Sequence, residues 1–207
     1  MILHTVPVGM NQTNCYIVGC PRTHRGAVID PGGEGDRIVR AVEGADLDVE
    51  YVLITHAHFD HIGGIAKLIA ATGAKLGLHP KERPLLEVDG GASMWGLNVE
   101  PSPPPDVELT EGQSIQIGTL NFEVLFTPGH SPGGVTFYEA DEGVAFVGDA
   151  VFSRGIGRTD LPGGDRETLM RSIKEVLFAL PDDTVIYPGH GPKTTVGEEK
   201  RSNPWVR

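Results

Sequence analysis

Five of the eight histidines of the chain lie in three short polar motifs, and each motif follows an apolar run typical of a β-strand. The densest motif is His-Ala-His-Phe-Asp-His at 56–61. In an extended segment His56 and His58 are two positions apart, so both rings project to the same side and could hold one metal ion together. Asp60 and His61 lie beyond the predicted strand end, where a loop could turn them toward a second ion nearby.

Two more histidines and a carboxylate follow other predicted strands in the same way. An imidazole from each of two strands, with a carboxylate able to bridge two cations, completes a set of seven candidate ligands. Five imidazoles and two carboxylates, with no thiolate among them, suit zinc and also iron or manganese. The sequence therefore predicts a site for two divalent metal ions, with zinc as the first choice. The candidate ligands are His56, His58, Asp60, His61, His130, Asp149 and His190.

Hydrophobic periodicity predicts the elements that must position these side chains. Strands and helices are interleaved along the chain, which favours an α/β fold. Strands are predicted at 1–8, 15–18, 26–29, 51–55, 75–79, 114–117, 120–126, 134–139, 143–148 and 184–187. Helices are predicted at 36–42, from Gly63 through Ile69, at 81–86 and at 166–180.

Some segments and side chains are predicted to lie outside this framework. Residues 30–33, Asp-Pro-Gly-Gly, are expected to form a tight turn near the metal edge. The Gly- and Pro-rich stretch 88–105 is expected to be a lid rather than a domain boundary, because the motifs on either side need each other. The remaining histidines are predicted to be structural or exposed. These are His4, His24 and His79.

Composition limits the function classes. The 207 residues can form one domain with a substantial core, and 17 basic against 28 acidic side chains give a formal charge of −11, which argues against nucleic acid as a partner. No apolar run is long enough to span a bilayer, and the N-terminus has no basic leader, so no membrane partner is expected. Cys15 and Cys20 are expected to be buried or free thiols in a reducing cytoplasm, with a disulfide or metal role less favoured.

These motifs resemble the metallo-β-lactamase superfamily over nearly the whole chain. The pattern at 56–61, with an imidazole, a carboxylate and an imidazole following in order, is similar to the dinuclear site of that family. The resemblance implies a four-layer αββα sandwich with the metals at one edge of the sheets. It also implies how the ligands are shared: His56, His58 and His130 for one ion, Asp60, His61 and His190 for the other, and Asp149 between them.

Within the superfamily, the segments 148–152, 155–165 and 188–195 look like the short bacterial glyoxalase II-like group, which resembles hydroxyacylglutathione hydrolases. This implies cleavage of a small-molecule thioester, such as S-D-lactoylglutathione, by a metal-bound hydroxide. Asp60 would orient the nucleophile and take its proton, and Arg158 would hold a carboxylate of glutathione. We expect a single domain over 1–207 without the C-terminal helical domain that supplies further glutathione contacts in full-length members.

Other activities on the same fold are alternatives. Residues 154–160 are also similar to persulfide dioxygenases, which hold a single iron through two histidines and a carboxylate, here His56, His130 and Asp149. The Gly-Pro pair after His190 favours the hydrolases. Hydrolysis of lactones, phosphodiesters or other esters by the same centre is a further alternative.

Overall fold

The first of two six-stranded β-sheets comes from the first half of the chain in this computed structural model, which describes residues 1–206. Its strands pair in chain order, antiparallel from β1 to β3 and parallel from β3 to β6. The strands are β1 Ile2–Val8, β2 Thr13–Gly19, β3 Arg25–Ile29, β4 Asp48–Leu53, β5 Lys75–Leu78 and β6 Val107–Glu108.

The second sheet comes from the other half of the chain. The strands of this half are β7 Ser114–Ile117, β8 Leu120–Phe126, β9 Val135–Glu139, β10 Val144–Gly148, the small hairpin β11 Val151–Phe152 and β12 Gly155–Ile156, then β13 Val185–Pro188 and β14 Thr194–Thr195. The sheet has the order β14-β13-β10-β9-β8-β7. Its pairs are antiparallel except for β10 and β13, which are parallel.

Helices cover the outer faces of both sheets. They are α1 Gly35–Gly44, α2 Phe59–Ile62, α3 Ile65–Thr72, α4 Arg83–Leu86 after a 3-10 turn at Pro80–Glu82, a 3-10 segment at Asp89–Trp95, α5 Arg166–Arg171 and α6 Val196–Ser202. Helix α5 continues as a π-helical turn at Ser172–Val176 and a 3-10 turn at Leu177–Ala179. Within residues 1–206, no helix is long and apolar enough to cross a membrane.

Alternation of side chains along the strands explains the layers. Tyr16 and Val18 of β2 face the second sheet and pack in one buried cluster with Phe122 and Phe146. Ile17, between them, faces the other way and packs with α1 and α3. The opposite face of β10 packs in the same manner against α5 and the helical turns after it. The molecule is therefore the αββα sandwich expected from the sequence.

The predicted strands are confirmed to within a few residues, and so are the helices 36–42, 63–69 and 81–86. The helix predicted at 166–180 changes to π geometry at Ser172, whose hydroxyl donates to the carbonyl of Pro128 at 2.7 Å, in the loop that carries a predicted ligand. Helices α2 and α6 and the two-residue strands were not predicted. Helix α2, with four residues, and the two-residue strands contain too few residues to show a period.

Side chains predicted to be structural or exposed have the expected environments. His4 and His24 are exposed, and His79 stacks on the ring of Phe126. Cys15 and Cys20 are both buried and free. The segment 88–105 contains the 3-10 helical residues Asp89–Trp95 and is otherwise irregular, and its action as a lid stays a prediction.

Candidate metal centre

The seven predicted ligands lie at one edge of the two sheets, Asp60 and His61 in the short helix α2 and the others on loops. These loops follow the carboxyl ends of β4, β8, β10 and β13. β10 and β13 are parallel, and β8 runs in the same direction because two antiparallel steps separate it from β10. The ends of these three strands therefore open toward the same space, and the main-chain N–H of Val135 donates to the carbonyl of Thr55 at 2.9 Å, which joins the end of β4 to them.

Two groups of three side chains have their ligand atoms close together. The donor atoms of His56, His58 and His130 lie within 4.8 Å of one another. The donor atoms of Asp60, His61 and His190 form a second group, and they too lie within 4.8 Å of one another. Each group is compact enough to surround one metal ion.

Asp149 lies between the two groups. Its Oδ1 atom is 3.5 Å from Nε2 of His61, and its Oδ2 atom is 3.5 Å from Nε2 of His190 and 3.7 Å from Nε2 of His130. One carboxylate thus reaches imidazoles of both groups. This is the position that a carboxylate shared by two cations would occupy.

Hydrogen bonds on the outer side of four imidazoles fix which nitrogen faces the centre. Nδ1 of His130 donates to the carbonyl oxygen of Arg158 at 2.7 Å, and Nδ1 of His190 donates to that of Asn11 at 3.1 Å. Nδ1 of His61 lies 2.9 Å from Oδ2 of Asp30, and Nδ1 of His56 lies 3.1 Å from Oγ1 of Thr55. In His56 and His130 this leaves Nε2 with a lone pair that faces the other candidate ligands, whereas Nε2 of His61 faces Asp149 and Nε2 of His190 faces Asp60. His58 instead presents Nδ1, 2.9 Å from Nε2 of His130.

Buried polar atoms that lack a hydrogen bond test whether a cation fits here. Within the described part of the chain, Nε2 of His56, Nε2 of His61 and Oδ1 of Asp149 are buried and have no hydrogen-bond partner. Such atoms are rare in folded proteins, since each loses its hydration without replacement. Two metal ions, one bound by His56 and the other by His61 with Asp149 between them, would satisfy all three, so the donor set fits divalent cations.

The pKa values of the chain itself separate the two groups. Burial lowers the pKa of His56, and burial together with His130 lowers the pKa of His58 to about 3. Burial also acts to lower the pKa of His61, but the charges of Asp149 and Asp30 outweigh it and raise the pKa. His56 and His58 therefore present neutral imidazoles, the form that binds metals, whereas carboxylates surround His61.

Asp30 was not among the predicted site residues, although it proves central to the support of the site. Its Oδ1 atom accepts from the main-chain N–H of Thr55 at 2.8 Å, and its Oδ2 atom accepts from the Thr55 hydroxyl at 2.6 Å and from Nδ1 of His61. Asp30 also lies near His56 and His61 as a third group of donors. Because both of its oxygens are occupied by these donors, we infer that Asp30 orients His61 rather than binding metal.

Glu82 is a second supporting residue that the sequence analysis did not identify. Its carboxylate is fully buried, and it accepts from the main-chain N–H of Ala57 at 2.7 Å and from that of Gly133 at 2.6 Å. Ala57 lies between His56 and His58, and Gly133 lies in the loop that carries His130. Glu82 therefore ties together the two loops that form the first group of ligands.

The loop that carries His190 is held by β2. The amide of Asn14 donates to the carbonyl oxygens of Pro188 at 3.0 Å and Gly191 at 2.9 Å. The hydroxyl of Tyr16 donates to the carbonyl of Pro188 at 2.6 Å. These contacts join the two sheets at the metal edge.

Arg158, predicted to bind substrate, has other partners in the structure. Its exposed guanidinium donates from Nε and Nη2 to the two oxygens of Asp160 at 2.7 and 2.8 Å. Its carbonyl oxygen accepts from His130. The side chain lines the cavity above the ligands, and its role in binding substrate stays a prediction.

Comparison with known proteins gives the family of this architecture. The family model described as the metallo-beta-lactamase superfamily matches residues 8–190. A hydroxyacylglutathione hydrolase, GloC, from Haemophilus influenzae is 41% identical over 209 aligned residues, which cover 100% of this chain and 98% of that protein.

Solved structures agree with this. BLEG-1 B3 metallo-beta-lactamase has a TM-score of 0.94 at 38% identity and covers 99% of each chain. TTHA1623 in a di-iron-bound form has a TM-score of 0.90 at 40% identity, covering 98% of this chain and 99% of that one. ETHE1 from Myxococcus xanthus has a TM-score of 0.83 at 34% identity, covering 99% of this chain and 84% of that one.

Removing one imidazole from each group separates the two metal positions. We expect His58→Ala to lose the ion of the first group and His61→Ala to lose the ion of the second. In each variant the metal content should fall from two ions per chain to about one. Elemental analysis after dialysis against trace metal measures this. His4→Ala is the matched control, because His4 is an exposed histidine on β1, and it should keep two ions. Full metal content in either site variant would contradict the assignment.

The support from Asp30 is tested by Asp30→Asn. Asparagine keeps the shape of the aspartate side chain and tolerates the positive φ of 51° at this position. It lacks the negative charge, however, and its N–H₂ group would face the N–H and O–H donors that Asp30 now accepts from. We expect metal affinity to fall by about 10- to 100-fold with the fold retained. Titration with a chelator competitor measures the affinity. Asp46→Asn is the control, since Asp46 is exposed and has a φ of 54°, and unchanged affinity in both variants would refute the role of Asp30.

Proposed function

Because this chain belongs to the metallo-β-lactamase superfamily, we propose that it is a dinuclear metal-dependent hydrolase that cleaves a thioester such as S-D-lactoylglutathione. The observation that carries the dinuclear assignment is the pair of compact ligand groups with Asp149 between them. The similarity to a hydroxyacylglutathione hydrolase supports the choice of a thioester. Zinc is the proposed metal, with iron or manganese as alternatives.

The residues have separate proposed roles. Two divalent ions would supply an activated water and stabilise the negative charge that develops on the carbonyl oxygen. The set proposed to hold them is His56, His58 and His130 for one ion, Asp60, His61 and His190 for the other, and Asp149 for both.

Asp60 is proposed to orient the attacking water. Its Oδ2 atom accepts from Nδ2 of Asn11 at 2.9 Å and lies 3.2 Å from Nε2 of His190, while the side chain lines the cavity. Burial acts to raise the pKa of Asp60, but the hydrogen bond from His190 and the charge of His61 hold it well below its usual range. An ionised carboxylate of this kind accepts a hydrogen bond from water readily and a proton less readily, so orientation is the stronger part of its role.

The reaction needs no further acid from the protein. The oxygen of water bonds to the thioester carbonyl carbon, the C–S bond breaks, and the sulfur leaves as a thiolate, with a proton released. A thiolate with a solution pKa of about 8.5 leaves without prior protonation. The alkoxide of an oxyester and the nitrogen anion of an amide are much poorer leaving groups. For this reason the thioester class is preferred over other esters.

A mononuclear iron dioxygenase that uses His56, His130 and Asp149 is the second candidate. Such a site does not require the group of Asp60 with two imidazoles, yet the chain assembles that group just as compactly. The complete second group favours a dinuclear hydrolase. We also propose a cytoplasmic location, because both buried cysteines are free thiols.

Purified protein of defined metal content tests the function. Hydrolysis of S-D-lactoylglutathione should exceed that of a lactone and of a phosphodiester, with two metal ions per chain. Oxygen uptake with glutathione persulfide should be absent. A single iron per chain together with oxygen consumption would overturn the hydrolase in favour of the dioxygenase.

The role of Asp60 predicts a specific kinetic loss. Asp60→Ala should reduce kcat for thioester cleavage by about 10²- to 10⁴-fold, since it removes both the orientation of water and one ligand. Steady-state kinetics with parallel metal analysis measures this. Asp141→Ala, at an exposed aspartate between β9 and β10, is the control and should behave as the parent chain. Near-normal turnover of Asp60→Ala with its metal retained would refute the assignment.

A further inference from the structure

The space in front of the metal centre is a cavity of about 610 Å³, a size typical of small-molecule sites. Five of the candidate ligands contribute to its floor, so a molecule bound there would have its reactive group at the centre. The rest of the lining is Phe59 of α2 and residues from three other parts of the chain: the β1–β2 turn, residues 85–97 and residues 158–162. The ligands on the floor are His58, Asp60, His130, Asp149 and His190.

Apolar side chains are concentrated around this cavity. Within residues 1–206, five large apolar side chains are exposed, and four of them, Met10, Val88, Met94 and Trp95, line the cavity; the fifth is Trp205. Exposed apolar groups gathered at one place mark a binding surface, because each costs free energy while it faces water. The concentration at the mouth of the metal centre therefore indicates an apolar ligand.

The apolar wall is held in place by close packing of the main chain. Gly90 has a φ of 64°, and a Cβ atom at this position would lie 2.3 Å from the main-chain nitrogen of Phe59 in α2. Ala92 is buried next to it. The 3-10 segment is thus fixed against the helix that carries Asp60, and its far end presents Met94 and Trp95 to the cavity.

Apart from the proposed metal centre, the lining of the cavity offers little positive charge to an anionic ligand. Among the described residues that line it, Arg158 is the one cationic side chain outside the candidate ligands, and both of its hydrogen-bonded nitrogens face Asp160. The chain as a whole carries a formal charge of −11. Away from the metal centre, the carboxylates of a glutathionyl group would therefore meet one cationic side chain, which is already paired with Asp160, so glutathione alone does not account for the cavity.

We propose that this cavity selects thioesters whose acyl group is a bulky apolar chain, and that the small hydroxylated acyl group of S-D-lactoylglutathione is a poorer match. This inference rests on the proposed thioester hydrolysis. The acyl group is assigned to the apolar wall because soluble thiol carriers are polar. With the carbonyl at the metal centre, the chain would lie along Met94 and Trp95.

Thioesters of N-acetylcysteamine with acetyl, butanoyl, hexanoyl and octanoyl groups test the inference on the metal-loaded protein. We expect kcat/KM to rise by about two- to fourfold for each added methylene, the range that follows from burying it. Trp95→Ala should lower the octanoyl-to-acetyl ratio of kcat/KM by about tenfold. Trp205→Ala is the matched control, because Trp205 and Trp95 are similarly exposed, at 52% and 53%, and it should leave the ratio unchanged.

Binding without turnover keeps this test separate from the proposed function. The chain has two tryptophans, so Trp205→Phe leaves Trp95 as the one fluorescent reporter of the cavity. Octanamide, which is uncharged and resists cleavage, should shift the emission of Trp95 to shorter wavelength, whereas acetamide should not. If the acetyl thioester is cleaved but chain length has no effect and octanamide gives no shift, the inference is wrong and the hydrolase stands. A shift without cleavage of any thioester supports the apolar site and counts against the hydrolase alone.

Discussion

The donor atoms of the seven candidate ligands lie close together at the edge of the sheets, and the site depends on their orientation relative to one another. Lone pairs of imidazoles and carboxylates that face one another repel unless a cation lies between them. The chain maintains this arrangement by occupying the outer nitrogen of four imidazoles with Asp30, Thr55 or main-chain carbonyls. Each of these bonds fixes a ring orientation, so Nε2 is the nitrogen that each of the four rings turns toward the centre.

The layers of the fold supply the rigidity that this arrangement needs. Strands whose carboxyl ends share an edge bring the ligands into one region, and main-chain hydrogen bonds such as Val135 N–H to Thr55 and Gly189 N–H to Gly148 connect the loops beyond those ends. Buried polar side chains add further hydrogen bonds to these loops. Glu82 joins two ligand loops through their N–H groups, and Asn14 and Tyr16 hold a third loop from the neighbouring sheet. These groups explain why a polar site can be both precise and placed at the end of an apolar core.

Sequence reasoning found what periodicity and residue chemistry encode, and missed what depends on distant contacts. Apolar runs predict strands such as β4 and β10, and the histidines and aspartates placed after such runs predict the candidate ligands. The burial of Glu82 could not be predicted, because nothing near it distinguishes it from a solvated glutamate. Helix α6 did have a local signal, since Thr195 accepts from the N–H of Glu198 in a Thr-x-x-Glu capping pattern. Asp30 had one as well, because a carboxylate directly after a buried strand shares the position of Asp149.

Reaction and substrate are determined by different parts of this molecule. The centre is built from loops at the strand ends, and its donor set determines which bonds can be activated. The cavity wall is built from the 3-10 segment and the turn that carries Met10. The side chains of Met10, Met94 and Trp95 are not among the candidate ligands, so these side chains can differ without removing a ligand. A polar centre under an apolar wall also strengthens its own electrostatics, because a bound acyl chain would exclude water from the ions and from Asp60. The apolar wall would thus contribute to catalysis as well as to selection, because the chain it holds closes the site to bulk solvent.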